Sequence, residues 1–163
     1  QANWLDDPKS YPAWVCAGEL GLPICLQMSA LAIPQARAMA ARFPDMRIVL
    51  DHCARPSLDD GPPYAAAASL FELARLPNIF LKLTPRIFAE ARRGMATPET
   101  FFAKLAGEFG AARLAWGSNY PSSEGTLAAV VAMARQSVAS LTQADQEWIF
   151  AGTARTLYPA LKD

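Results

Sequence analysis

Short apolar runs that alternate with helix-like stretches constrain the fold of this chain more than any other feature. Four such runs occur in order, over residues 23–28, 47–52, 78–84 and 113–118. Their length and their content of Ile, Val and Phe favour strands, because branched and aromatic side chains pack well on a pleated sheet. Strands that alternate with helices pair in parallel. The sequence therefore predicts an α/β fold of four consecutive βα units.

The stretches between these runs carry recognisable helix boundaries. Thr97 is a good N-cap for a helix over residues 98–109, and Thr142 followed by Asp145 resembles a capping box that opens a helix through residue 150. Further helices are predicted over residues 13–20, 34–43, 64–76 and 125–140, with a short turn at 153–157. Four βα units fit an open doubly wound sheet or part of a closed barrel, and their spacing does not separate these two architectures.

Length, charge, apolar stretches and cysteine spacing limit the classes of protein to which this chain could belong. The 163 residues, 52% of them hydrophobic, predict one domain over residues 1–163. Fifteen basic side chains against fifteen acidic ones argue against nucleic acid or an anionic membrane as a partner. The longest strongly apolar stretch, residues 127–134, is shorter than the about 20 residues that cross a bilayer, and no signal-peptide pattern opens the chain. Three cysteines without close spacing predict no disulfide framework. We expect a soluble, cytoplasmic protein.

Polar side chains cluster where the predicted strands end, which is where both architectures bind ligands. His52 is the only histidine, so a site that needs two histidines cannot come from this chain. It could bind a metal through one nitrogen or serve as a general acid or base, and the alternative is a hydrogen-bonded structural histidine. The other residues at the strand ends are Gln27, Met28, Ser29, Asp51, Arg55, Lys82, Thr84, Arg86, Ser118, Asn119 and Tyr120.

Charge and strand alternation suggest roles for these residues. Arg55 and Arg86 are candidates for binding a substrate carboxylate, with an ordinary surface position as the alternative. Lys82 would either face the pocket or pair with an acid. If the second strand continues through His52, alternation directs Asp51 to the opposite face. In a barrel in which His52 points inward, Asp51 would point toward the helices or into a hydrogen bond at the rim. The same alternation keeps Cys53 from meeting His52.

Three segments together resemble a known family. They are R-I-V-L-D-H-C-A-R-P at 47–56, P-N-I-F-L-K-L-T at 77–84 and R-L-A-W-G-S-N-Y-P at 113–121, and A-G-T-A-R-T-L-Y-P follows at 151–159. This series is similar to the amidohydrolase-2 family, which includes 2-pyrone-4,6-dicarboxylate lactonase and sugar lactonases. The resemblance implies that the four runs are strands five to eight of a distorted (β/α)₈ TIM barrel. A complete barrel has about 250 residues, so the chain resembles a partial barrel.

The resemblance also implies roles for single residues. His52 matches a histidine that binds or lies near the metal in metal-dependent members, and Asn119 matches an aspartate that binds metal and activates water. Asparagine has no negative charge and is no general base, and Gln27 lies where some relatives carry a further histidine. The family's H-x-H motif has no counterpart here. We therefore expect no cofactor, with a divalent metal such as zinc as the alternative and His52 as its only candidate ligand.

The resulting functional expectation is a hydrolase that opens a lactone or a related carboxylate-bearing ring by adding water to its carbonyl. His52 would polarise the carbonyl or move a proton, and Asn119 would form hydrogen bonds beside it. The general base is not identified. The residues expected to bind substrate are Gln27, Arg55, Lys82, Thr84 and Arg86.

Three further expectations accompany this function. The partners would be the small-molecule substrate and either a missing N-terminal half or a second copy of the chain. The main alternative is a non-catalytic, truncated or pseudo-enzyme domain that has lost its metal site and its base. A phosphate-binding α/β domain is disfavoured, because no glycine-rich phosphate loop occurs.

Overall fold

The four predicted strands all form, and they lie side by side in one sheet. A computed structural model describes residues 4–161 and orders the parallel strands β1-β2-β3-β4. Each strand falls inside its predicted run but is shorter, because only its central residues continue the ladder of backbone hydrogen bonds. The α/β prediction is confirmed. The strands are β1 (Ile24–Leu26), β2 (Ile48–Leu50), β3 (Ile79–Leu83) and β4 (Leu114–Trp116).

Helices follow and separate the strands, and their boundaries match local sequence signals. The Thr97 hydroxyl accepts a hydrogen bond from the backbone N–H of Thr100, and the Thr142 hydroxyl accepts one from Asp145, so both predicted caps are confirmed. The helices are α1 (Tyr11–Glu19), α2 (Ile33–Arg42), α3 (Ala68–Glu72), α4 (Pro85–Glu90), α5 (Pro98–Phe109), α6 (Leu127–Ser137), α7 (Gln143–Glu147) and α8 (Thr153–Leu157). A π-helical turn, Trp148–Gly152, connects α7 to α8.

Several predicted helices differ in extent from the observed ones. The stretch 64–76 is not one helix, because Tyr64 has a left-handed φ of 65° and α3 is flanked by 3₁₀ turns. Helix α6 is shorter than predicted, since Thr126 caps its start through Ala129 N–H. Helix α4 was not predicted, because six residues are too few to show a helical period.

One face of the sheet is buried against the helices. Ile48, Leu50, Ile79, Leu81 and Leu114 are completely buried there and belong to the main hydrophobic core. Burial of this apolar surface is the main favourable contribution to folding. We call this the helix-covered face.

The opposite face, which we call the open face, consists of Cys25, Val49, Phe80, Lys82 and Ala115, which the strand register aligns. Leu157, at the end of α8, packs against three of these residues. The hydroxyl of Tyr158 lies 3.3 Å from the Cys25 sulfur. Cys25 is nevertheless exposed and Lys82 is half-buried. The described residues therefore cover this face only in part. Parallel sheets are normally covered on both faces, so this sheet differs from the usual arrangement.

Among residues 4–161, none of the helices combines the length and the apolar character that crossing a membrane requires.

Candidate functional site

The chain leaves β2 through a left-handed turn that carries His52. His52, Cys53, Ala54 and Arg55 have φ angles of 56°, 52°, 60° and 54°. Each such conformation costs a non-glycine residue about 1–3 kcal/mol, and strain of this kind is concentrated at functional sites. The Arg55 N–H donates to the His52 carbonyl over 2.9 Å, and the Cys53 sulfur lies 3.7 Å from the Lys82 carbonyl oxygen.

This turn corrects the expected strand alternation. β2 ends at Leu50, so His52 does not continue the strand, and Asp51 does not point toward the helices. Instead, an Asp51 carboxylate oxygen lies 2.6 Å from Lys82 Nζ. Of the two alternatives predicted for Lys82, facing the pocket or pairing with an acid, the structure shows the pairing. Burial raises the pKa of the Cys53 thiol, and the thiol is therefore an unsuitable nucleophile for a pair with His52.

The His52 imidazole contacts the side chain of Thr84. Its Nδ1 atom lies 2.7 Å from the Thr84 hydroxyl, and both residues are buried. Burial lowers the pKa of His52 below its ordinary value of 6.5; Asp51 raises it, while Arg55, Arg86 and Lys82 lower it further. This lowered pKa favours the neutral imidazole at pH 7.

A pocket of about 290 Å³ lies beside His52, between the left-handed turn and α4. Arg55 and Arg86 both line it, and the Nε atom of Arg55 is buried without a hydrogen-bond partner. Arg93 also lines it and lies 3.3 Å from Glu90. Guanidinium groups facing a concave pocket bind carboxylates through paired N–H donors. The remaining lining residues are Pro56, Ser57, Asp59 and Ile87.

The structure brings some predicted site residues together and leaves others apart. His52, Thr84, Arg55 and Arg86 meet at this pocket or contact one another. Gln27 is exposed and lines a different pocket, of about 460 Å³, beside β1. Asn119 is exposed in the loop after β4.

Asn119 takes part in the local hydrogen bonding of this loop. Its backbone carbonyl accepts a hydrogen bond from Ser123. No hydrogen bond or ion pair within residues 4–161 joins Asn119 or Gln27 to His52.

Two features of the site were not visible in the sequence. A side chain at Gly117 would place its Cβ 3.0 Å from Lys82 Cδ, so this glycine makes room for the lysine. Arg92 and Arg93 are adjacent in the sequence but have different partners: Arg92 donates to the Phe88 carbonyl and the Ser137 hydroxyl, while Arg93 lines the pocket. The glycine of the W-G-S segment is the one sequence signal that could have indicated the first feature.

The donor atoms do not assemble a metal site. Across residues 4–161, no group of three or more His, Cys, Asp or Glu side chains could hold a metal ion. His52 Nδ1 is occupied by Thr84, and Asp51 is occupied by Lys82. Within residues 4–161, these side chains therefore do not form a metal site by themselves.

Comparison with known proteins agrees with the motif series. The sequence profile of the amidohydrolase family (Amidohydro_2) matches residues 1–160. The chain belongs to this family. L-fucono-1,5-lactonase from Burkholderia ambifaria is 33% identical over 123 residues, which are 74% of this chain and 42% of the lactonase.

Solved structures of this family share the fold. An amidohydrolase from Burkholderia multivorans with bound zinc superposes with a TM-score of 0.79 at 22% identity, covering 98% of this chain and 61% of that protein. A Pseudomonas putida protein described as a 2-pyrone-4,6-dicarboxylic acid hydrolase gives a TM-score of 0.76 at 22% identity, covering 98% and 59%. The chain thus spans about 60% of these proteins and has the fold of a partial TIM barrel.

Proposed function

We propose that this chain supplies the carboxylate-binding part of a hydrolase that opens a lactone or a related carboxylate-bearing ring. One observation carries the proposal: His52 lines the same pocket as Arg55 and Arg86, at the ends of β2 and β3. A polar group that can act on a carbonyl therefore lies beside two cationic forks. This is the arrangement that a ring bearing both a lactone carbonyl and a carboxylate requires.

The chemistry follows from these groups. Hydrolysis adds water to the lactone carbonyl, breaks the ring C–O bond and yields a hydroxy acid. Arg55 and Arg86 would hold the substrate carboxylate, and the unpartnered Nε–H of Arg55 provides an unused donor. His52 would act on the lactone carbonyl. Arg55 and Arg86 are cationic and the Asn119 amide cannot accept a proton, so none of these three residues is the water-activating base.

The names of the relatives support a ring-opening reaction, and the residues of the pocket favour one of the two substrate classes in those names. One relative is a sugar lactonase, and one structural neighbour is described as a hydrolase of a pyrone dicarboxylic acid. The sugar lactone carries no carboxylate, whereas the pyrone carries two. The two pocket arginines therefore favour the charged substrate class for this chain.

The open face indicates what else the active protein needs. In the described sheet, β1 and β4 each have one neighbouring strand, and unpaired edges favour further pairing. We propose that further βα units, supplied by a missing N-terminal half or by a second copy, pair with these edges and thereby cover the open face. Residues 1–163 would then act as one domain of the assembly. The three cysteines are free, in keeping with action in the reducing cytoplasm.

Equilibrium binding tests the proposal without requiring turnover. The folded chain is titrated with 2-pyrone-4,6-dicarboxylate and with L-fucono-1,5-lactone, and binding is followed by NMR. Arg55→Met and Arg86→Met should each weaken dicarboxylate binding about 10-fold or more, since a charge-assisted hydrogen bond contributes about 1.5–3 kcal/mol. Arg37→Met is the matched control, because Arg37 pairs with Glu72 on the exposed surface and should leave binding unchanged.

Hydrolysis of the same compounds, followed by absorbance, separates the remaining outcomes. Turnover that depends on His52 supports the hydrolase. If the folded chain binds neither compound, the proposal is wrong and the non-catalytic alternative is favoured.

A further inference from the structure

The contact between His52 and Thr84 determines more than the orientation of the ring. Nδ1 of His52 and Oγ1 of Thr84 are 2.7 Å apart, and the two residues are 8% and 1% exposed. This hydrogen bond is therefore largely shielded from water. A neutral imidazole has one protonated nitrogen and one acceptor nitrogen, so the direction of this bond decides which nitrogen carries the proton.

The Thr84 hydroxyl has to donate this hydrogen bond. Thr84 is the N-cap of α4, but its side chain makes no capping bond. Within the described part of the chain, His52 Nδ1 is the one hydrogen-bond partner of the Thr84 side chain. If Nδ1–H were the donor, the buried hydroxyl proton would have no acceptor, and buried polar groups are rarely left unsatisfied. The hydroxyl therefore donates to Nδ1.

The electrostatic surroundings agree with this direction. A doubly protonated imidazolium would present N–H at Nδ1 and would again leave the hydroxyl proton without an acceptor. Arg55, Arg86 and Lys82 disfavour that cation, and burial lowers the pKa of His52. Asp51, which would favour the cation, is paired with Lys82. The neutral ring is thus the form that the Thr84 hydroxyl can satisfy.

We infer that Thr84 is a positioning residue that holds His52 in the neutral tautomer with its proton on Nε2, the nitrogen left available to the pocket. In this state His52 is a hydrogen-bond donor to a ligand oxygen, and its Nε2 is neither a base nor a metal ligand. The inference decides among the roles left open for His52. Its meaning for lactone opening rests on the proposed function, where Nε2–H would polarise the carbonyl, but the tautomer can be measured without turnover.

Nitrogen-15 NMR of the imidazole provides the test. Because the chain contains one histidine, its ring nitrogens give signals that need no assignment by mutation. At pH 7.5 the wild-type chain should show Nε2 protonated and Nδ1 unprotonated, at well-separated shifts. Thr84→Val removes the hydroxyl, so the two shifts should move toward each other as tautomers interconvert. Thr84→Ser keeps a hydroxyl and should restore the wild-type pattern.

Thr153→Val is the matched control. Thr153 is fully buried and its hydroxyl donates to the Ala111 carbonyl over 3.1 Å, so this variant loses a comparable hydrogen bond elsewhere. Its imidazole shifts should equal those of the wild type. A wild-type ring protonated at Nδ1 would overturn the inference, even if Thr84→Val did not fold. Wild-type shifts in folded Thr84→Val would overturn it as well. Failure of lactone binding alone would contradict the proposed function and leave the tautomer result intact.

Discussion

The two faces of the four-stranded sheet differ in how much of each is covered by the chain's own residues. On the helix-covered face, residues such as Leu50 and Leu81 are entirely enclosed by the chain's own helices. On the open face, Leu157 and Tyr158 cover one part, while Cys25 stays exposed and Lys82 pairs with Asp51. The burial that stabilises the fold is thus concentrated on the helix-covered face. The open face keeps polar groups and exposed surface that a further polypeptide segment or a ligand could cover.

Neighbouring residues on β3 provide the strongest test of this difference. Leu81→Ala should lower the free energy of unfolding by about 2–5 kcal/mol, because it leaves a cavity in the main core. Lys82→Met keeps most of the side chain and removes a partly exposed ion pair, so its effect should be about 1 kcal/mol or less. Urea unfolding measures both. Equal losses in the two variants would remove the energetic distinction between the faces.

The two members of the Asp51–Lys82 ion pair should shift the pKa of His52 in opposite directions. Asp51 raises the pKa of His52 and Lys82 lowers it, so Asp51→Asn should lower this pKa and Lys82→Met should raise it. Titration of the single imidazole by NMR measures both shifts. Shifts of the same sign in the two variants would show that His52 does not sense the pair.

The lowered pKa of His52 also predicts how stability depends on pH. The unfolded chain binds a proton near pH 6.5, while folded His52 binds it only at lower pH. The stabilising contribution is therefore complete above pH 6.5 and is lost as the pH falls through the folded pKa. Urea unfolding at pH 7.5 and 5.5 should show this loss, and His52→Gln should reduce it. An unchanged pH dependence in His52→Gln would contradict the assignment.

The sequence predicted the parts of the fold that depend on local patterns. Parallel pairing and the Thr97 and Thr142 caps follow from alternating apolar runs and capping residues, and the structure confirms them. The consecutive strand order followed only from the family resemblance, because the spacing of the runs also fits an open doubly wound sheet. The left-handed turn at His52 was not predictable, because none of its residues is glycine.

The contacts at the site also depended on more than local pattern. His52 and Thr84 are 32 positions apart, and their contact depends on how β2 and β3 pair. Arg93 reaches the pocket through α4, which is too short to detect by period.

The reactivity of the three cysteines tests most directly whether the open face must be covered for function. In the chain alone, a thiol reagent should modify exposed Cys25 and Cys16, and buried Cys53 should react only on unfolding. Mass spectrometry gives the Cys25 to Cys16 labelling ratio. In a preparation that hydrolyses the lactone, the account predicts that this ratio falls while Cys16 stays reactive. Lactone hydrolysis with Cys25 as reactive as in the chain alone would contradict the account.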